Sequence, residues 1–143
     1  MINGRLRNDY RFPFRISPSG QAEQSPYAAH VGQMVRQVLL TSPGERVDLP
    51  EFGCGLRRLL FAPNVTGAPV PKSLSGVAAG DAMNASAQIL VQQSLDRWLA
   101  GQIQVKQVIV AAGDSAPAGE IDIEVRYVLL ETQDMQSTKV RLI

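Results

Sequence analysis

Apolar positions along the chain change their period several times, and the changes divide it into elements. From Tyr10 to Ile16 every second residue is apolar: Tyr10, Phe12, Phe14 and Ile16, with Arg11, Pro13 and Arg15 between them. That alternation predicts a strand with an aromatic inner face. Pro13 has no N–H to give, which places the strand at an edge or makes it an irregular extended arm. Ser25-Pro26 reads as a helix start, Ser25 as N-cap and Pro26 at the first helical position. Ala28, Val31, Val35, Val38 and Leu39 follow at helical spacing, and Thr41-Ser42-Pro43-Gly44 ends that helix. LRRLLFA, from Leu56, supplies one or two further turns. Asp81 can cap a longer helix whose Ala87, Val91, Leu95 and Trp98 face a core and which Gly101 ends.

The remaining pattern has period two. Ile103 and Val105 share one parity and Val108 and Val110 the other, a switch that fits a bulge near Lys106-Gln107. Ile121, Ile123, Val125, Tyr127 and Leu129 alternate with more polar residues in the clearest strand of the chain. Thr138, Val140 and Leu142 alternate with Lys139 and Arg141 in another. Helices first and consecutive strands afterwards predict an α+β fold, with helices packed on a small, mostly antiparallel sheet, rather than a doubly wound α/β one. The 143 residues suit a single domain, 1–143, with a flexible N-terminal arm (1–9) and a Pro-, Gly- and Ala-rich loop insertion (63–80).

Charge narrows the choice of partners. Lys and Arg total 14 against 13 Asp and Glu, a net charge of +1, so no overall field draws in nucleic acid or an anionic membrane. One cysteine excludes an intramolecular disulfide, and there is no apolar run of signal-peptide or membrane-spanning length. These features point to assembly in the cytoplasm.

Candidate chemistry is sparse. His30 is the only histidine and lies beside an apolar stripe, which reads as a structural or surface residue rather than a general base. Cys54, between two glycines in an exposed-looking setting, is read as a packed thiol rather than a nucleophile. One Cys and one His make no zinc site, and GCG is no phosphate-binding loop, so no metal or cofactor is expected. Glu45, Asp48 and Glu51 form the best carboxylate cluster. They could flank a sugar cleft as in a glycosidase, but the simpler reading pairs them with Arg46, Arg57 or Arg58, or has them cap a helix. Arg5, Arg7, Arg11 and Arg15 along the arm suit a solvated face or a contact to an acidic partner.

The stretch VRQVLLTSPGERVDLPEFGCGLRRLLFAPN closely resembles the phage gene-25-product, or GPW-like, family of contractile-tail baseplates. That family also occurs in the baseplates of type VI secretion systems and extracellular contractile injection particles. The resemblance rests on a leucine-rich helix end at Leu39-Leu40, Pro43-Gly44-Glu45-Arg46, Pro50-Glu51-Phe52-Gly53, and the short helix of Leu56, Leu59, Leu60 and Phe61. FPF at 12–14, the His30 helix, Arg97-Trp98 and the C-terminal strands also fit. The resemblance implies a non-enzymatic wedge component that docks around the inner tube, in a six-fold ring. It would contact sheath subunits, other wedge proteins and inner tube or hub proteins, and start the sheath by strand addition. It also implies a location in a phage virion or contractile injection particle. The alternative is a peptidoglycan-cleaving, lysozyme-like tail enzyme using Glu45, Asp48 or Glu51. Partner-binding residues expected on this basis are Arg11, Arg15, Glu45, Arg46, Glu51, Arg97 and Val140, the last on an edge strand where a proline is expected to block a sheath strand. Relatives usually follow Arg-Trp with Glu-Pro-Arg and an apolar residue. Here Leu99-Ala100-Gly101-Gln102-Ile103 follows instead, with one residue added, so the charged motif that makes the usual wedge-core contact is absent, and whether that contact changes stays open.

Overall fold

The computed structural model describes residues 8–60, 79–112 and 120–142. Two short strands, β1 (Asn8–Tyr10) and β2 (Gln24–Pro26), form an antiparallel hairpin. It leads directly into α1 (Tyr27–Leu40). A connector follows, then the single turn α2 (Arg57–Leu60) and the long helix α3 (Ala79–Leu99). Three strands complete the fold: β3 (Ile103–Ala112), β4 (Ile121–Leu129) and β5 (Met135–Leu142), an antiparallel sheet in the order β3-β4-β5.

The helical and alternating stripes meet in one core. Val31, Val35, Val38 and Leu39 of α1 and Ala87, Val91, Leu95 and Leu99 of α3 are buried against Ile103 and Val110, against Ile121 to Leu129 at every second position, and against Val140 and Leu142. Helices cover this face of the sheet; on the other, Asp122–Arg141 and Glu124–Arg126 pair along and across the strands at 2.8 and 3.0 Å. The parity switch of β3 is the expected bulge, with the register shifting between Val105 and Gln107.

Three expectations are corrected. The alternating segment at 10–16 is no regular strand with a buried face. Only Tyr10 belongs to β1, and Tyr10, Phe12, Phe14 and Ile16 are 65%, 49%, 63% and 65% exposed, because the hairpin lies beside α1 and no described residue packs on its outer side. Ser25 does not cap α1: the helix starts at Tyr27 behind Pro26 with no side-chain cap, and Ser25 pairs with Asp9 in the hairpin instead. Asp81 lies inside α3, which already includes Ala79. Trp98 packs against the core as expected but is only partly buried; Leu99, one position on, is the fully buried residue. The insertion at 63–80 falls almost wholly outside the described residues, as do the arm's residues 1–7.

Candidate docking site

Thr41 to Leu56 folds back on the end of α1. The last carbonyls of a helix have no partner within it, and the connector supplies one. The Cys54 N–H is shared between the carbonyls of Val38 (2.9 Å) and Thr41 (3.0 Å), and the Gly55 N–H reaches the Thr41 carbonyl at 3.3 Å. This approach needs Gly53, which has φ +111° and lies so close that a Cβ would stand 2.2 Å from the Thr41 oxygen. The loop closes on itself through the Gly44 N–H to the Pro50 carbonyl (2.7 Å) and the Phe52 N–H to the Leu49 carbonyl (3.0 Å).

Inside this frame the motif residues take up specific contacts. The Glu45 carboxylate accepts the Ser42 N–H at 3.1 Å. The Arg46 guanidinium lies over the Phe52 ring, 4.3 Å from its centroid. Phe52 in turn packs on Trp98 of α3 at 5.1 Å with the rings tilted. Arg97 lies over Trp98 at 5.2 Å and forms an ion pair with Glu51. Arg46, Phe52, Trp98, Arg97 and Glu51 thus form one stack joining the connector to the end of α3. Glu45 and Arg46 do not pair with each other; each holds the loop. The tilted aromatic pair and the cation–π contacts are the types of interaction that fix such a loop without burying it. Sequence reasoning named the charged residues of this stack as partner contacts and Phe52 and Trp98 only as motif and core residues, not as neighbours. Phe52 and Trp98 stand 46 positions apart, and no local spacing joins them.

The chemical alternatives look weaker at this geometry. Glu45 and Glu51 are occupied as described, and Asp48 is exposed on the loop. Cys54 is the packed thiol that the sequence reading favoured, despite its glycine neighbours. It is 3% exposed, and burial pushes the thiol up to about 11, partly offset by a hydrogen bond with Ser94, which disfavours the nucleophilic thiolate. Among the described residues no group of three His, Cys, Asp or Glu could hold a metal ion, and no helix is long and apolar enough to cross a membrane.

The sheet offers a different kind of site, an edge. The Leu129 N–H donates to the Asp134 carbonyl at 3.0 Å, which fixes the phase of the β4–β5 ladder. Donors and acceptors alternate in direction along an antiparallel strand. With the unbroken register Ile121↔Leu142, Ile123↔Val140, Val125↔Thr138 and Tyr127↔Gln136, Gln136, Thr138, Val140 and Leu142 spend their backbone groups on β4. Met135, Ser137, Lys139 and Arg141 aim theirs outward, and among the described residues no strand meets them. Val140 is therefore corrected as an edge residue: it is buried and its donor belongs to β4. Among the described residues the outer edge of β3 is also open, but the bulge at Lys106 interrupts it. The aromatic arm forms no third edge of this sheet, because β1 pairs with β2.

Comparison with known proteins gives this fold its context. Residues 25–70 match the family described as baseplate wedge protein gp25. The resemblance seen in the connector is thereby borne out, and the matched segment contains α1, the connector and α2. A tail-lysozyme-described protein of Geobacter sulfurreducens superposes with a TM-score of 0.60 at 20% identity, over 82% of this chain and 91% of that one. A chain of the anti-feeding prophage baseplate, determined with six-fold symmetry, superposes with a TM-score of 0.58 at 19% identity, over 95% of this chain and 84% of that one. At these identities both share the fold with this chain, which the α+β expectation had anticipated. No curated protein matches it.

Proposed function

We infer that the chain is a non-enzymatic structural component of a contractile-tail-type baseplate, placed around the inner tube, and that it starts the sheath by accepting a strand along the open edge of β5. The match of the connector segment to the baseplate wedge family carries this reading, and the likeness to a baseplate chain of the anti-feeding prophage supports it. The partners are other wedge and tube or hub proteins and a sheath subunit, in a six-fold ring, after assembly in the cytoplasm.

Strand addition follows from the ladder. Outward N–H and C=O groups at Met135, Ser137, Lys139 and Arg141 can bond an incoming strand, and the alternating side chains set its register. A free edge also threatens self-association, which charged edge residues suppress; Lys139 and Arg141 fill that role. The regular β5 suits the task better than β3, because a bulge twists an edge away from pairing. The connector stack then keeps the end of α3, which leads into β3, in a fixed place beside α1.

Electron microscopy of particles assembled with and without the chain tests this reading. Bare tubes in its absence are the expected result, and normally sheathed tails would overturn it. A turbidity assay on cell walls separates the lysozyme alternative: lysis by the purified chain, lost in Glu51→Gln, would favour an enzyme.

A further inference from the structure

The N-terminal hairpin carries a feature that strand addition does not use. Glu23 opposes two residues of the facing strand: its carbonyl accepts the Arg11 N–H at 3.0 Å and its N–H donates to the Arg15 carbonyl at 2.9 Å. The three residues between, Phe12-Pro13-Phe14, are squeezed out of the ladder as a bulge. The hairpin resumes beyond it, with Ile16 bridging to Ala22. The bulge is also fastened to α1, because the Phe12 N–H donates to the Gln33 side chain at 2.8 Å. It is therefore held on three sides while Phe12 and Phe14 face solvent, flanked by the exposed Tyr10 and Ile16. The whole chain has four phenylalanines, and two of them are spent here. Exposed aromatic side chains on a fixed backbone mark a contact surface, and fixed aromatics lose little entropy on docking.

Charge identifies the occupant. Arg11 and Arg15 flank the bulge, Arg11 paired with Glu23 at 2.9 Å and Arg15 without an ion pair among the described residues. The first sixteen residues hold four arginines against one aspartate, in a chain whose net charge is only +1. A second copy would set basic flank against basic flank, which opposes self-docking. We propose that the Phe12-Pro13-Phe14 bulge is an aromatic plug that seats in an apolar, carboxylate-rimmed groove of another protein of the same assembly. This interface is separate from the β5 edge, and it rests on the assembly reading above.

The test uses the full chain with p-benzoylphenylalanine in place of Phe14, irradiated within purified particles. The expected product is a cross-link to a different polypeptide, mapping to a peptide that combines aliphatic residues with Asp or Glu. Cross-links confined to this chain's own 61–78 segment, to a second copy or to lipid would overturn the plug. Alongside, Phe12→Ser with Phe14→Ser should keep the wild-type melting temperature and lower incorporation into particles by about tenfold or more, as for paired aromatic hot spots; undiminished incorporation would also overturn it. Absence of the wild-type chain from purified particles would overturn the assembly reading, and the plug with it.

Discussion

Gly53→Ala tests the reasoning about the connector most sharply, because its cost divides into two parts that other glycines isolate. Gly53 has φ +111°, and an added Cβ would stand 2.2 Å from the Thr41 oxygen and 2.7 Å from the Thr41 carbonyl carbon. The conformational part is strain at positive φ, roughly 1–2 kcal/mol for a residue with a Cβ. The contact part arises because the Thr41 carbonyl must move, and that carbonyl accepts both the Cys54 and the Gly55 N–H. Two weakened hydrogen bonds add about 2 kcal/mol, so the total is about 3–4 kcal/mol. Gly44 has φ +97° with nothing within 4 Å of an added Cβ, and Gly101 has neither positive φ nor a close neighbour. Gly44→Ala should therefore cost roughly 1–2 kcal/mol and Gly101→Ala very little. Urea unfolding of the three variants, compared at constant m, measures all three costs. A Gly53→Ala variant no less stable than Gly44→Ala would refute the argument, since the close approach to Thr41 would then cost nothing.

Further outcomes follow from the stack and from the buried thiol. Trp98→Ala should cost about 2–3 kcal/mol, less than full burial would give, because the residue is only partly buried, packed against the core and against the Phe52 ring; a melting temperature equal to wild type would show these contacts to be idle. Glu51→Gln should stay within about 1 kcal/mol of wild type, since its pair with Arg97 is exposed; a larger loss by chemical denaturation would contradict this. Cys54 makes stability depend on alkaline pH. Below about 9 the thiol is protonated in both states and contributes nothing, whereas above it the unfolded thiol ionises and the native one, raised to about 11, does not. Stability should therefore fall by about 2–3 kcal/mol between pH 9 and 11. Burial of the Tyr127 hydroxyl acts in the same direction, so the signal is the difference between wild type and Cys54→Ala; identical pH profiles for the two would contradict the assignment.

The elements were legible in the sequence where one periodicity met one core. Val31, Val35, Val38 and Leu39, the alternation from Ile121 to Leu129 and the bulge in β3 all came from spacing, because burial on one face selects those positions directly. The 10–16 alternation has the same form and a different outcome. Period two records which side chains share a side, not whether anything covers it, and here no described residue does. Ser25-Pro26 failed as a cap because the hairpin claimed Ser25 first. The candidate site was legible only in part. Pro43, Gly44 and Gly53 marked a tight connector, but the Phe52–Trp98 contact joins distant segments. Nor does a sequence state which residues of an edge strand face outward, since that depends on the phase of a ladder set by one hairpin bond, Leu129 to Asp134.

That phase allows the central claim to be tested with two adjacent prolines. Proline removes one N–H and is tolerated on an edge strand only where that N–H faces away from the sheet. Lys139 points its N–H outward and loses only an exposed ion pair with Glu124, whereas Val140 is buried and donates to β4. Lys139→Pro should remain folded with the sheet intact, while Val140→Pro should be destabilised before any question of assembly arises. The decisive measurement is electron microscopy of particles assembled with folded Lys139→Pro protein. Complete tubes and baseplates bearing no sheath are the predicted result. Fully sheathed tails would contradict strand addition at the β5 edge.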